Sequence, residues 1–320
     1  MNSRDTVVVA CAANAAYALP MAVMLRSAAD NLSPDKQLAV WIVDDGLGPD
    51  MRRQVVESLP ESVTVNWLKP SRSDLHGVPL TGGMPITTYD KVMIAELLPH
   101  DVPKVIWLDC DMLVLADLAQ LWDMPIGDSH ALAVTDALVG TVSSRFGVQR
   151  HAELGLEEWT PYFNAGVLVI DPQKWRDSHI AADALKYLKQ FRKLVFFWDQ
   201  EALNVVLARR WRSLDPQWNW SATLDRISLG NGSSPAKVLR HDRIVHFNGN
   251  LKPWVVREAW DLDSVYYEVL DRTAWRGWRP AQTLMRSVLS WYGSSRIRRI
   301  AYPAEQWGMH MIWRMRQRNA

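Results

Sequence analysis

A short apolar run that ends in two aspartates constrains this chain more than any other segment. Residues 105–108 are uniformly apolar, which is typical of a buried strand, and Asp109 follows where that strand should leave the core. Because residues i and i+2 of a strand point to the same side, Asp109 and Asp111 can converge on one point. Two adjacent carboxylates are costly unless a cation lies between them, and oxygen ligands suit Mg²⁺ or Mn²⁺. Taken alone, the pattern fits two solvated aspartates at the start of a turn equally well.

Strand-like and helix-like segments alternate around this run, which predicts an α/β fold with a parallel sheet. The predicted strands are residues 6–11, 38–43, 63–68, 105–108, 131–135, 166–170 and 243–247. The predicted helices are residues 18–31, 49–59, 87–98, 172–190 and 199–208, and residues 69–86 form a predicted loop. Since parallel strands end at one edge of a sheet, residues 10–14, 44–45 and 109–111 should lie along a ligand-binding edge. No glycine-rich phosphate loop follows any of these strands, so a nucleotide would be held in another way.

A second cluster of polar residues follows the last predicted strand. A neutral imidazole at a strand end, here His246, can complete a carboxylate site and favours Mn²⁺ over Mg²⁺. Gly249 permits close approach of the backbone, and Lys252 supplies a point charge for a phosphate. Each residue alone fits a structural histidine or a surface lysine, but their clustering supports a binding role.

Charge is distributed unevenly along the 320 residues, which divides the chain into two parts. Residues 273–320 carry nine arginines, five tryptophans and one acidic residue, a net charge of +8, whereas residues 1–272 carry −7. We therefore predict a catalytic domain over residues 1–272 and a basic, Trp-rich tail over residues 273–320. Interleaved arginine and tryptophan are typical of a segment on an anionic membrane surface. The alternatives are a helical extension packed on the core and a nucleic-acid-binding segment, and the interleaved tryptophan and methionine argue against the latter.

The cysteine content and the N-terminal sequence predict a cytoplasmic protein. Cys11 and Cys110 are the only cysteines, which excludes a disulfide framework, and two buried thiols suit a reducing compartment. Residues 6–10 are too short for the apolar core of a signal peptide, and no run of 18 uncharged apolar residues occurs. The expected location is the cytoplasm, with peripheral attachment to the inner face of the membrane through the tail.

Four ordered motifs resemble those of glycosyltransferase family 8. This family of retaining sugar transferases includes bacterial lipooligosaccharide galactosyltransferases and glycogenin, and the resemblance covers about Val7 to Trp260. The motifs are residues 89–91 leading to 107–111, residues 162–168, residues 198–204 and residues 246–254. The resemblance implies a GT-A fold, with a mostly parallel central sheet flanked by helices. It also implies metal-dependent transfer of galactose or glucose from a UDP-sugar to a saccharide or glycolipid acceptor, as in lipopolysaccharide biosynthesis.

The resemblance also implies a role for each matching residue. Asp109, Asp111 and His246 would bind Mn²⁺, with Mg²⁺ as the alternative, and Lys252 and the Gly249 backbone would contact the diphosphate. The residues implied near the donor sugar are Lys91, where the family usually has arginine, Asp136, Asn164, Ala165, Asp199 and Gln200.

Asp199 and Gln200 would lie nearest the anomeric carbon in this family. Because a neutral amide is a poor nucleophile, we expect front-face attack, with Gln200 stabilising an oxocarbenium-like transition state. Asp199 also fits the simpler role of a helix N-cap.

The loop after the first strand departs from the family pattern. The family has an aspartate and a tyrosine there that grip uracil and ribose, whereas this chain has alanine at 12, 13, 15 and 16. Asn14 matches the family asparagine, and Tyr17 is the candidate for stacking on the base. Recognition of uridine is therefore expected through Tyr17, or else the base contact is weaker or different.

Two other function classes remain open from the sequence. A haloacid-dehalogenase-type phosphatase also has an apolar strand that ends in Asp-x-Asp, with Asp109 then a nucleophile that acts with Mg²⁺. In that class the motif usually opens the domain, whereas three predicted strands precede it here. The altered first loop also fits an inactive sugar-nucleotide-binding protein, which turnover with a metal would distinguish from an enzyme.

Overall fold

Strands and helices alternate along the chain, as the sequence predicts. A computed structural model describes residues 6–70, 72–80, 84–222, 242–249, 252–256, 261–284, 286–288, 304–308 and 310–311. The strands are β1 Thr6–Ala13, β2 Gln37–Asp44, β3 Thr64–Leu68, β4 Val105–Leu108, β5 Met112–Val114, β6 Ala131–Thr135, β7 Phe163–Ile170, β8 Trp211–Ser213, β9 Trp220–Ser221 and β10 Ile244–His246. The helices are α1 Ala18–Asp30, α2 Gly48–Glu57, α3 Asp90–Leu97, α4 Leu118–Asp123, α5 Pro172–Asp177, α6 Ile180–Gln190, α7 Trp198–Val206 and α8 Asp261–Leu270.

Seven strands form a central sheet in the order β3-β2-β1-β4-β7-β6-β8. β7 runs antiparallel to both of its neighbours, and every other pairing in this sheet is parallel. The predicted α/β fold with a mostly parallel sheet is therefore confirmed. Since β1, β2, β4 and β6 point the same way, the segments that follow them lie at one edge of the sheet.

Both faces of the sheet are buried under helices. Along β4, Ile106 and Leu108 belong to the apolar cluster that includes α1 and α4, whereas Val105 and Trp107 belong to the cluster with α3, α5, α6 and α7. Trp107 is one of the largest fully buried side chains. A large apolar side chain buried in this way contributes roughly 1.5–3 kcal/mol, so the strand that carries the aspartates is firmly anchored.

A second, three-stranded sheet brings two distant parts of the sequence together. Its order is β5-β10-β9, and β10 pairs antiparallel with β5 so that His246 lies opposite Met112. Because β5 begins one residue after Asp111, this register places His246 beside that aspartate. Tyr266 and Leu270 of α8 cover this sheet and are fully buried.

Two features of the sequence-based prediction need correction. Residues 172–190 form two helices rather than one, because the chain breaks at Ser178 and His179 has a left-handed backbone with a φ of 53°. The short strands β5, β8 and β9 were not predicted, since two or three residues are too few to show a period.

The described start of the predicted tail packs on the rest of the protein. The Ala274 N–H donates to the Ser58 hydroxyl at 3.0 Å, and Arg279 forms an ion pair of 2.7 Å with Asp271. Trp275 packs against both the main core and the cluster around α8. Among the described residues, no helix combines the length and the apolar composition needed to cross a bilayer.

Candidate functional site

Asp109, Asp111 and His246 come together at the end of β4. One ligand atom from each lies within 4.8 Å of the others. The backbone fixes this arrangement, because the Asp109 N–H donates to the Gly166 carbonyl on β7 at 2.9 Å. The N–H that follows His246 in turn donates to the Asp111 carbonyl at 2.9 Å. Three separate segments therefore hold two carboxylates and one imidazole in one place.

This set of side chains fits a divalent cation. Two carboxylates and an imidazole are an oxygen- and nitrogen-rich donor set of the kind that Mn²⁺ accepts. The neighbouring Gly166 leaves room for the imidazole, because an added Cβ would lie 2.6 Å from Cε1 of His246. Position 166 therefore requires glycine because the imidazole lies close to its backbone, not because of the backbone conformation.

The two aspartates have different electrostatic surroundings. Burial opposes ionisation of Asp111, but the ammonium of Lys252, which bonds to its carboxylate, outweighs it and helps to hold its pKa far below the usual value. Burial raises the pKa of Asp109, although Lys91 opposes that rise. A cation at this cluster would favour the ionised form of both carboxylates.

Lys91 is a buried cation at the centre of the site. Its Nζ lies 2.9 Å from Oδ1 of Asp109, 3.0 Å from Oδ2 of Asp199 and 3.2 Å from the Ala165 carbonyl. Burial would lower the pKa of Lys91, but the two carboxylates raise it above the usual value, so the ammonium stays charged. The lysine therefore connects the aspartate cluster to the start of α7.

Asp199 does not act as a helix cap. The N-cap position of α7 is Phe197, and no side chain caps that end. The Asp199 carboxylate instead binds Lys91 and accepts a hydrogen bond of 2.6 Å from the Thr88 hydroxyl. Asp199 therefore does not have the helix-capping role that the sequence allowed, and its carboxylate makes contacts inside the site instead.

A network of amides and one carboxylate lies next to Lys91. The Asp136 carboxylate accepts hydrogen bonds from Nδ2 of Asn164 at 2.9 Å and from Nε2 of Gln200 at 3.1 Å. Oε1 of Gln200 accepts from the Ala165 N–H at 3.1 Å. These bonds fix the orientation of both amides, so that their polar groups are aimed rather than free to rotate.

The loop after β1 reaches the site through Tyr17. Oδ1 of Asn14 caps a 3-10 turn over Ala15–Tyr17 by accepting from the Ala16 N–H at 3.1 Å. The Tyr17 ring meets the Trp254 ring edge to face at 6.3 Å. Burial raises the pKa of Tyr17, and the positive charge of Lys252 opposes that rise.

Gly249 and Asp44 were also predicted to lie at the site, and the structure shows different surroundings for each. Gly249 has a φ of 98°, a backbone conformation that favours glycine. Asp44, predicted at the ligand-binding edge, caps a turn by accepting from the Leu47 N–H at 2.7 Å and pairs with Arg52. It is therefore occupied by structural contacts.

Sequence reasoning missed several residues that shape the site. The Trp107 ring N–H donates to Oδ1 of Asp109 at 2.9 Å, although an apolar strand position gives no sign of such a bond. Asn219 bonds to both Asn164 and His246 at 2.9 Å. Since Asn219 lies in a short turn, only a structure could show that it reaches two distant motifs.

Comparisons with known proteins identify a family and several relatives of this chain. The family model described as glycosyl transferase family 8 matches residues 8–257. General stress protein A of Bacillus subtilis is 26% identical over 272 residues, which cover 81% of this chain and 91% of that protein. The lipopolysaccharide 1,3-galactosyltransferase of Salmonella typhimurium is 22% identical over 261 residues, 76% of this chain and 72% of that protein. The solved structure of galactosyltransferase LgtC with donor and acceptor sugar analogs is similar with a TM-score of 0.71 and 23% identity, over 90% of this chain and all of that one.

Proposed function

The chain belongs to glycosyltransferase family 8, and on that premise we propose that it transfers a hexose, galactose or glucose, from a UDP-sugar to a saccharide or glycolipid acceptor with retention of configuration. The observation that carries this proposal is the meeting of Asp109, Asp111 and His246 with the buried ammonium groups of Lys91 and Lys252. Carboxylates, an imidazole and two cations in one cluster suit a metal-bound diphosphate. Membership of this family also excludes the haloacid-dehalogenase-type phosphatase that the sequence left open.

Asp109, Asp111 and His246 would hold the divalent cation in this proposal. The imidazole favours Mn²⁺, with Mg²⁺ as the alternative. When bound, such a cation supplies Lewis-acid neutralisation of the diphosphate leaving group.

Lys252 and the backbone at Gly249 would bind the diphosphate. Lys252 is mostly buried, and Asp111 helps to keep its pKa above the usual value despite that burial, so it offers a full positive charge at neutral pH. Lys91 would bind between the diphosphate and the sugar as a point charge, without the planar fork of an arginine.

The binding site for the donor sugar would be lined by Asn164, Ala165, Asp136 and Asp199. Gln200 would face the anomeric carbon. Oε1 of Gln200 uses one of its two lone pairs on the Ala165 N–H, which leaves the other for a developing positive charge. An oriented dipole of this kind stabilises an oxocarbenium-like transition state without reorganisation. We therefore favour front-face attack over a covalent intermediate.

The test of this proposal is a screen of UDP-sugars for Mn²⁺-dependent release of UDP. UDP-galactose and UDP-glucose are expected to be the best donors, and chelation of the metal should stop release. Equal turnover with and without a chelator would contradict the metal role. Tight binding of UDP with no turnover for any donor or acceptor would favour the inactive sugar-nucleotide-binding protein that the alanine-rich loop suggests.

The basic tail, residues 273–320, would bring the protein to the anionic inner face of a membrane. Leu284 is 85% exposed and Trp307 is 56% exposed, in a segment with a net charge of +8. Each basic residue near an anionic surface contributes about 1 kcal/mol, so a few arginines suffice for reversible attachment. This would give a cytoplasmic enzyme access to a glycolipid acceptor.

Co-sedimentation of the full chain with anionic and neutral vesicles tests the membrane proposal. Leu284→Ser and Trp307→Ser should both weaken binding to anionic vesicles at low salt. Trp159→Ser is the matched control, because Trp159 is 70% exposed but lies outside the tail. Failure of the unmodified chain to sediment with anionic vesicles would show that the tail has another role.

A further inference from the structure

Asn219 is a buried residue outside the recognised motifs that lies directly beside His246. It ends the 3-10 turn Pro216–Asn219, which Asp215 caps by accepting from the Gln217 N–H at 2.9 Å. The next residues form β9, which pairs in parallel with β10, the strand that carries His246. A capped turn on one side and a strand pairing on the other therefore fix the place of this amide.

A chain of hydrogen bonds assigns the proton on the neutral His246 ring. The Gly166 N–H, which can only donate, lies 2.9 Å from Oδ1 of Asn164. Asn219 approaches that same oxygen at 2.9 Å, so it must present its NH₂ group there. The Asn219 carbonyl oxygen then faces Nδ1 of His246 at 2.9 Å, and Nδ1 must carry the hydrogen.

A second contact supports the orientation of Asn164 from which this assignment starts. Nδ2 of Asn164 lies 2.9 Å from the Asp136 carboxylate, which accepts hydrogen bonds when ionised. The contacts of the amide oxygen and of the amide nitrogen of Asn164 thus support the same orientation. With Nδ1 protonated, Nε2 of His246 keeps its lone pair and lies 3.3 Å from Oδ1 of Asp111.

We propose that Asn219 is a positioning residue that holds His246 in its Nδ1–H tautomer and so aims the Nε2 lone pair at the cation site. This inference rests on the proposed function only in naming His246 as a metal ligand. The same amide joins Asn164, so it couples the orientation of the histidine to that of a residue proposed to meet the donor sugar. Partners that orient a metal-binding histidine typically change metal affinity 10–100-fold.

Nuclear magnetic resonance of the metal-free full chain tests the tautomer directly. Histidines labelled with ¹⁵N are observed at alkaline pH, and His246→Gln identifies the signals of His246. The expected result is a protonated Nδ1 and an unprotonated Nε2. A protonated Nε2 with a bare Nδ1 would overturn the proposal, and this experiment needs neither a metal nor a substrate.

Binding of Mn²⁺ alone, followed by electron paramagnetic resonance of the free ion, tests the consequence. Asn219→Ala should raise the Kd for Mn²⁺ 10–100-fold. Asn219→Asp loses the bond to Asn164 but keeps an acceptor for the Nδ1 hydrogen, so it should retain most of the affinity that Asn219→Ala loses, which a merely structural role does not predict. An unchanged Kd in Asn219→Ala, or equal losses in both variants, would contradict the positioning role.

Asn31→Ala is the matched control for loss of stability. Asn31 donates to the Ser27 and Val114 carbonyls at 2.9 and 3.0 Å at the end of α1, so its removal costs two hydrogen bonds away from the site. It should lower the melting temperature and leave the Kd for Mn²⁺ unchanged. If Asn219→Ala does not fold, Asn219→Asp and the tautomer measurement decide the question. If the unmodified protein does not bind Mn²⁺, the proposed function fails, and the tautomer still decides the positioning role.

Discussion

The two ends of the ligand-binding edge are held together by different kinds of interaction. The metal end, defined as Asp109, Asp111 and His246 with their partners Lys91 and Lys252, consists of buried charges within hydrogen-bond distance of one another. The nucleoside end, defined as residues 12–17 with Trp254, is joined by the aromatic contact between Tyr17 and Trp254 and contains a short capped turn, and four of its six loop residues are alanine.

This difference shows how strongly each end restricts its residues. Buried charges interact in an environment of low dielectric constant. Removing one of them leaves its partner unpaired, which lowers the free energy of unfolding by about 3–5 kcal/mol. An aromatic contact depends on area and tolerates replacement by another ring. Substitutions at the metal end should therefore have much larger effects than those at the nucleoside end.

The largest effect is expected from Asp111→Asn. Lys252 pairs with this carboxylate, and a neutral amide would give neither Lys252 nor a divalent cation a counter-charge. Loss of metal-dependent stabilisation of several kcal/mol should lower the rate of sugar transfer at least about 10³-fold. Asp171→Ala is the control, because Asp171 caps α5 and pairs with Lys174 of the same helix, and its loss should cost about 1 kcal/mol of stability. A variant that retains normal Mn²⁺ affinity would show that Asp111 is not a ligand.

Lys91→Met should have the next largest effect. It removes the cation that lies between Asp109 and Asp199, which should lower the unfolding free energy by about 3–5 kcal/mol and reduce transfer about 100-fold. Lys91→Arg keeps the charge and should retain part of the activity. Lys104→Met removes a lysine that bonds to two backbone carbonyls elsewhere, and it should leave the KM for the donor unchanged. Equal losses in Lys91→Met and Lys91→Arg would argue that packing, not charge, is what Lys91 contributes.

Glu201 is a buried carboxylate with a structural role, in contrast to the carboxylates of the metal end. Burial raises its pKa to about 7, although the Tyr187 hydroxyl and the Phe196 N–H donate to it at 2.7 Å. The folded protein then holds a proton that the unfolded chain, with a glutamate pKa of about 4.3, has released. The stability that this group contributes is fully present below pH 4.3 and is lost as the pH rises through 7, by about 4 kcal/mol.

Glu201→Gln should abolish this loss. Denaturant unfolding at pH 5 and pH 8 is the measurement, and the unmodified protein should lose stability relative to the variant at the higher pH. An identical pH dependence in both proteins would mean that Glu201 is ionised throughout.

Gly166→Ala tests the close packing at the metal end. The new Cβ would lie 2.6 Å from Cε1 of His246 and 2.7 Å from Cε of Met112, so the imidazole must move. We expect a cost of about 1–3 kcal/mol and roughly tenfold weaker Mn²⁺ binding. In Gly147→Ala the Cβ would meet the Val142 carbonyl oxygen at 2.2 Å, which should destabilise the fold without changing Mn²⁺ affinity. Equal effects of both variants on the metal would mean that the loss comes from stability alone.

The same comparison explains which parts of the site the sequence could reveal. Asp109 could be predicted because an apolar strand that ends in carboxylates is a local pattern, and the mostly parallel sheet followed from the alternation of segments. Asn219 and Gly166 could not, because their contacts join segments that lie far apart in the sequence: Asn219 bonds to Asn164, 55 residues away, and Gly166 packs against His246, 80 residues away. The break at His179 was also missed, since a left-handed residue that is not glycine has no signature in the sequence.

Replacement of Tyr17 should have the smallest effect. Tyr17→Phe keeps a ring for stacking and should leave UDP affinity nearly unchanged, whereas Tyr17→Ala should weaken UDP binding about tenfold, roughly 1.4 kcal/mol. Calorimetry with Mn²⁺ present measures both. An equal loss in the two variants would point to the hydroxyl rather than to the ring.

Nucleobase selectivity completes the comparison of the two ends. The diphosphate is common to UDP, GDP, ADP and CDP, so the metal end should bind all four alike, and any preference must come from the nucleoside end. With Asn14 bonded to the turn backbone and alanines around it, that end offers few polar contacts to a base. We expect UDP to bind about tenfold more tightly than the other three, which corresponds to about 1.4 kcal/mol. Equal affinities would leave the diphosphate site intact and remove uridine recognition from this loop. A preference of a thousandfold would mean that residues outside 12–17 read the base, and the two ends would then be equally restrictive.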